Sequence, residues 1–230
     1  MSNKFRVEEK YYINQTTYVT LLSRLKHLMQ RDSHANYAGE YRIDSLYFDD
    51  YRNTSYYEKM DGIRNRQKYR IRCYDLDEIS LRLEKKIRKG SFIRKEVEAM
   101  EVATYKEILS GVLCEFGKSK LFTKLAMDQR MKLLKPKLIV TYDREAFTFE
   151  GSNIRITFDK NLRMRIDETD LFKSVDKEIH IFEDDKMILE VKYDGYLPKH
   201  IKDILQTNQH ERYSISKYAI CMAYRAQLLI

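Results

Sequence analysis

The sequence predicts an α+β fold: an antiparallel barrel or strongly curved sheet with helices around it. Three observations lead there. At least seven segments read as strands, and helical segments fall between them without the regular alternation of a parallel sheet. The central strands also alternate charged with apolar residues, most clearly over residues 66–98. Successive side chains of a strand point to opposite faces. Lys68, Arg70 and Arg72 then share one face of the first central strand, and Arg82, Glu84, Lys86 and Arg88 share one face of the second. Tyr69, Ile71 and Cys73, with Leu81, Leu83 and Ile87, take the other face, which Glu9 and Lys85 interrupt elsewhere along the apolar rows.

Taken in order, residues 4–13 form a strand with Arg6, Glu8, Lys10 and Tyr12 on one face. Asn14-Gln-Thr-Thr opens a helix in which Leu21, Leu22, Leu25, Leu28 and Met29 recur at three-to-four spacing. Residues 41–48 give the next strand, closed by Asp49-Asp50. Residues 51–60 are polar and Tyr-rich, a short helix or turn before Asp61-Gly62. The two cationic strands follow, and Arg88-Lys-Gly-Ser is the hairpin turn after them. Residues 101–135 have a helical period through Ile108, Leu109, Val112, Leu113 and Phe116, then Leu121 and Leu125, and Pro136 ends it. Strands are expected over 137–149, 154–159 and 186–193, with Asp194-Gly195 and Pro198 at the exit of the last. Residues 200–205 suit a short helix, and Ser214 or Ser216 caps a C-terminal helix through Leu229. No repeat and no Gly-, Ser- or Pro-rich linker interrupts the chain, so residues 1–230 are expected to form one domain.

Composition narrows the partner. A hydrophobic content of 43% allows a packed core and argues against disorder. Lys and Arg number 43 against 35 Asp and Glu, a net charge of +8, which favours an anionic partner such as a phosphorylated metabolite, polyphosphate, nucleic acid or anionic lipid. Basic residues are interleaved with acids and match no nucleic-acid-binding motif, so nucleic acid is not the expected partner. Cys73, Cys114 and Cys221 are far apart and make no CxxC pair, which fits a reducing compartment rather than a zinc site or disulfide framework. Without a signal-like N-terminus or a stretch near the ~20 apolar residues of a membrane span, the expected location is cytoplasmic. That leaves room for a membrane-protein partner.

Nearly every strand offers a cation with a suitable neighbour. The first offers Arg6, Glu8 and Lys10; the later ones offer Tyr142 and Arg144, then Arg155, Thr157 and Asp159, then Glu190 and Lys192. For any single residue, a solvated face or a surface ion pair explains the charge as well as a site does. The set is harder to explain that way. Burying many like charges costs several kcal/mol per ion unless an anion meets them. Arg suits phosphate through its planar fork and Lys as a point charge. A carboxylate among them is tolerated if a divalent cation bridges it to phosphate oxygens. At Arg212-Tyr-Ser-Ile-Ser-Lys-Tyr, a helix starting at Ser216 would bring free N–H groups and Lys217 toward an anion, although an N-cap alone explains the serine.

Together these segments resemble the VTC-type polyphosphate polymerase domain of the triphosphate tunnel metalloenzyme (CYTH-like) superfamily. The resemblance covers most of the chain. It rests on Arg6-x-Glu8-x-Lys10-Tyr11, Ser45-Leu-Tyr-Phe-Asp49, Lys68-Tyr-Arg-Ile-Arg72, Leu83-Glu-Lys-Lys86, Tyr142-x-Arg144-x-Ala146-Phe147, Arg155-Ile-Thr-Phe-Asp159, Leu189-Glu-Val-Lys192 and Ser216-Lys217-Tyr218. It implies an eight-stranded antiparallel β-barrel tunnel with peripheral helices. In that tunnel ATP would give its γ-phosphate to a growing inorganic polyphosphate chain with the help of Mn2+ or Mg2+. By position it makes Lys10, Arg70, Arg72, Lys86, Arg144 and Arg155 the catalytic cations. Arg6, Lys68, Arg94, Tyr142, Lys192, Ser216 and Lys217 become phosphate-binding residues, and Glu190 with Glu8 the metal ligands. Two positions depart from the pattern. Ser214 stands where a further basic residue is expected, with Arg212 as a substitute, and either Arg94 or Lys95 is the basic residue after the hairpin, Arg94 being preferred.

Two alternatives keep the phosphate site. A tunnel triphosphatase would pass the phosphate to water, but that branch carries two acids before the first-strand lysine, and here the first of those positions is Arg6. A non-catalytic module would bind or sense polyphosphate without turning it over.

Overall fold

The computed structural model describes residues 6–90, 92–112, 119–150, 152–166, 168–173, 178–182, 185–206 and 211–228. The strands are β1 (Arg6–Ile13), β2 (Gln30–Arg31), β3 (Glu40–Asp49), β4 (Arg66–Tyr74), β5 (Asp77–Lys89), β6 (Phe92–Ala99), β7 (Lys135–Thr148), β8 (Arg155–Arg165), β9 (Ile179–His180) and β10 (Met187–Asp194). The helices are α1 (Gln15–Leu25), α2 (Thr54–Met60), α3 (Val102–Leu109), α4 (Lys120–Lys132), α5 (Lys199–Leu205) and α6 (Lys217–Leu228). None of them is long and apolar enough to cross a membrane.

The chain divides into two compact units, and β3, β7, β8 and β9 contribute residues to both. The first unit comprises Met1–Arg42, Tyr142–Leu162 and His180–Ile215. Its strands follow the order β1-β10-β8-β7. β1 lies antiparallel on β10, with Lys10 opposite Glu190 and Glu8 opposite Lys192. β10 lies antiparallel on β8, with Glu190 opposite Thr157 and Lys192 opposite Arg155. Asn14 ends β1 and caps α1, its side chain accepting from the Thr17 N–H at 2.9 Å. One face of this sheet is apolar: Phe147, Ile156, Phe158, Leu189 and Val191 pack with Leu21 and Leu25 of α1 and Ile201 of α5. Burying each such side chain contributes about 2 kcal/mol.

The second unit comprises Ile43–Thr141, Arg163–Ile179 and Ser216–Ile230. Its order is β7-β3-β4-β5-β6. In antiparallel register, Tyr47, Arg70, Glu84 and Val97 form one row across β3 to β6, and Lys68, Lys86 and Lys95 another. The opposite face buries Leu46, Phe48, Tyr69, Ile71, Cys73, Leu81 and Leu83 with Tyr105 and Ile108 of α3 and Leu121, Phe122 and Leu125 of α4. Eight strands thus follow one another through hydrogen-bonded neighbours, in the expected α+β antiparallel class.

Several boundaries differ from expectation. The helical stretch over 101–135 is two helices, and Leu113, Cys114 and Phe116 lie outside the described residues, as does Leu229 at the far end. Pro136 does not end α4. The helix stops at Lys132, where Leu133 turns left-handed at φ 55°, and Pro136 is the second residue of β7. A strand's first residues tolerate proline because a ladder N–H is not yet needed there. β2 and β9, two residues each, are too short to have left a periodic signal.

Candidate functional site

In the second unit the cationic face is organised by one carboxylate. Arg70 donates from Nε to Glu84 Oε2 at 2.6 Å and from Nη1 to the Tyr47 hydroxyl at 2.9 Å. Lys95 Nζ holds the other carboxylate oxygen at 2.8 Å. Glu84 is 2% exposed. Burial alone would raise its pKa, but Arg70, Arg72 and Lys95 hold it well below the usual carboxylate range. Glu84 therefore stays an anion that orients cations rather than a proton donor. Arg72 Nε donates to Ser45 Oγ at 3.0 Å, and Lys86 stands between Lys68 and Lys95 in the register. Five cations (Lys68, Arg70, Arg72, Lys86 and Lys95) thus gather around Glu84.

Tyr47 lies beneath this group. Lys68 Nζ and the Arg70 guanidinium lie 5.1 and 5.8 Å from its ring centroid, and the ring stacks on Tyr218 at 4.9 Å. Tyr218 in turn donates to Asp49 Oδ2 at 2.6 Å. Burial pushes the Tyr47 phenol up, but the charges of Arg70, Lys68 and Arg72 outweigh it and bring the pKa down to about 7. At the start of α6, Ser216 Oγ accepts from the Ala219 N–H at 3.4 Å and from Lys68 Nζ at 3.4 Å. Ser216 is thus both an N-cap and a neighbour of the cationic face, and Lys217 follows it half-buried.

The preference for Arg94 over Lys95 is corrected by the register. Arg94 pairs with Ile87, so it shares the apolar parity, where its guanidinium meets Glu96 at 3.1 Å. The interruptions of the apolar rows are paired locally. Lys85 reaches Asp128 of α4 at 3.5 Å and lies over the Tyr69 ring at 4.5 Å. Glu9 accepts from the Tyr11 and Tyr193 hydroxyls and meets Arg212 at 3.3 Å.

In the first unit a second charged set surrounds Glu190, which is 3% exposed. Lys192 Nζ lies 2.9 Å from Glu190 Oε1, Lys10 Nζ 3.6 Å from the same oxygen, and Arg144 Nη2 3.4 Å from Oε2. Lys10 also meets Glu8 Oε1 at 2.7 Å. Burial works to raise the Glu190 pKa, but Lys10 and Lys192 hold the carboxyl well below its ordinary value. Lys10 itself is raised, since Glu190 and Glu8 outweigh its desolvation, whereas desolvation brings Lys192 down to about 8. Arg144 is clamped by Asp159 at 2.6 and 2.8 Å, and its guanidinium lies 5.3 Å from the Tyr142 ring centroid. Arg155 meets Asp32 at 2.6 Å and the Tyr41 hydroxyl at 2.8 Å. The Arg6 side chain lies outside the described residues.

The donor set suits a hard divalent cation. The Lys10 ammonium bridges Glu8 and Glu190 at 2.7 and 3.6 Å, so these two carboxylates share one cation, and both offer the oxygen ligands that such a metal takes. Among the described residues no three His, Cys, Asp or Glu side chains converge on a metal position. An ion here would take its remaining ligands from phosphate and water, as Mg2+ commonly does.

Reading the sequence assigned no site role to Tyr47, placed Glu84 and Asp159 on charged faces without a role of their own, and offered Lys95 only as the alternative to Arg94. Asp32 and Tyr41 left no signal, because nothing in the chain's periodicity ties them to Arg155.

The VTC domain family model matches residues 5–225. No curated protein matches the chain. Among solved structures, a proposed adenylate cyclase from Bacillus halodurans is similar at 14% identity and a TM-score of 0.52, covering 90% of this chain and 88% of its own. The PH1819 protein from Pyrococcus horikoshii OT3 is similar at 17% identity and a TM-score of 0.51, covering 96% and 99%. At these identities the likeness concerns the fold.

Proposed function

The chain belongs to the VTC domain family, and from that premise we propose that it is an ATP-dependent polyphosphate polymerase. It would transfer the γ-phosphate of ATP to the end of an inorganic polyphosphate chain in a basic tunnel. The observation that carries this reading is the gathering of Lys68, Arg70, Arg72, Lys86 and Lys95 around Glu84. Such a concentration of positive charge, from buried Arg72 to exposed Lys95, is stabilised by a polyanion.

In this proposal Arg70, Arg72, Lys68 and Lys86 bind the anionic oxygens of the phosphate chain, with Ser216 and Lys217 at the N-terminus of α6. Lys10, Lys192, Arg144 and Arg155, with Tyr142, orient phosphate groups and offset the charge that develops during transfer. A terminal oxygen of the acceptor chain attacks the γ-phosphorus in line, one P–O bond forms, and the bond to ADP breaks. No covalent intermediate on the protein is needed. Glu190 and Glu8 would hold a divalent cation, Mn2+ or Mg2+, which neutralises charge on the phosphates when bound. Residues 1–230 are proposed to act as one functional domain, working in the cytoplasm.

Incubating the purified protein with ATP and Mn2+ or Mg2+, and resolving long-chain polyphosphate, ADP and free phosphate, tests the reading. Polymer together with ADP is expected. Free phosphate without polymer would replace it with a triphosphatase. Neither product, with tight binding of added polyphosphate, would make the protein a sensing module.

A further inference from the structure

Thr157 lies on the charged face of β8, directly across from Glu190, in the row that continues to Lys10 on β1. It is 1% exposed, and its Oγ1 has no hydrogen-bond partner. A buried hydroxyl without a partner is costly and unusual. Apolar packing does not account for this one, because its surroundings are ionic. Arg155 and Asp159 flank it on the same face of β8, and Asp159 is engaged with Arg144. Glu190 is engaged by Lys192, Lys10 and Arg144 and makes no hydrogen bond to Thr157. Two residues away, Arg155 Nε is a second buried donor without an acceptor. Two unmatched donors on one face, among lysines and arginines, call for an acceptor with several anionic oxygens.

Resting on the phosphate-binding reading above, we propose that Thr157 is a further substrate-binding residue whose hydroxyl donates a hydrogen bond to an anionic oxygen of the bound phosphate chain. Arg155 Nε donates to the same phosphate group. A bound phosphate group supplies the acceptor that no protein group gives these two donors.

The test compares wild type with Thr157→Val, which keeps the shape and removes the hydroxyl, and Thr157→Ser, which keeps the hydroxyl. Inorganic tripolyphosphate is titrated into each full chain by calorimetry, and thermal midpoints are measured without ligand. Thr157→Val is expected to weaken tripolyphosphate binding about tenfold, the factor that corresponds to one lost hydrogen bond to a charged group. Its unliganded midpoint should equal or exceed that of wild type, since an unpaired polar group has been removed. Thr157→Ser should bind as wild type does. Should Thr157→Val fail to fold, Thr157→Ala replaces it with the same expected loss of binding. Wild-type affinity in the Val variant, or an equal loss in the Ser variant, would overturn the inference, because the hydroxyl would then not be what binds. A wild-type chain that binds tripolyphosphate without making polymer removes the polymerase reading alone. One that does not bind it removes both.

Discussion

At the scale of single residues, Tyr47 shows how the cationic face changes the chemistry of a neighbour. Its phenol is 3% exposed, accepts from Arg70 and lies against Lys68. These charges stabilise the phenolate more than burial destabilises it, bringing the pKa from 10.0 to about 7. An acid whose folded pKa is depressed adds stability that is fully present above its unfolded value. That contribution is lost as the pH falls through the folded value. Stability should therefore rise with pH between about 7 and 10, and Tyr47→Phe should remove that rise. Denaturant melts at the two ends of this window, with the phenolate absorption band followed in parallel, check it. A wild type whose phenolate signal appears only near 10 would contradict the account. Saturating tripolyphosphate should push the titration back up by neutralising the cations. Tyr47 shares parity with Ser45, so its face was legible in the sequence. Its altered acidity was not, because that depends on Lys68 and Arg70 arriving from a different strand.

At the scale of elements, strand periodicity made most of the charged rows legible and turn length decided the remainder. Lys89 pairs with Phe92, so the hairpin carries two intervening residues, with Gly90 left-handed at φ 59°. A turn of even length pairs even-numbered with odd-numbered residues. Lys86 must then face Lys95, and Arg94 must face away. Taking Arg88-Lys-Gly-Ser as a four-residue turn gives the same parity, so the sequence held the answer in the turn rather than in the strand. The Lys85 interruption was illegible for a different reason. Its partner Asp128 lies on α4, and strand periodicity says nothing about which helix covers a face. Removing that partner leaves a 5% exposed ammonium with the Tyr69 ring and hydroxyl and with Glu96 across the strand, a carboxylate already held by Lys124 and Arg94. Asp128→Ala should cost about 3 kcal/mol, the range for breaking a buried pair. Denaturant unfolding measures it, and a cost no larger than that of a surface ion pair would show that Lys85 finds an equivalent partner.

At the scale of the molecule, antiparallel strands and interspersed helices emerged from local patterns alone, because each apolar face needs a helix to cover it and each hairpin leaves a turn signal. The division into two compact units did not, since each unit is assembled from three separated stretches of chain. The net charge of +8 pointed to an anionic partner but not to which one. The gathering of cations around Glu84 is the feature on which the proposed polyphosphate reading rests. The most direct measurement is phosphorus NMR of ATP turnover by wild type, Arg70→Ala and Arg72→Ala, with circular dichroism confirming that all three are folded. Internal-chain phosphate resonances should grow with wild type and be absent with both variants. Full wild-type turnover by both folded variants would contradict the placement of the reaction on this cationic face.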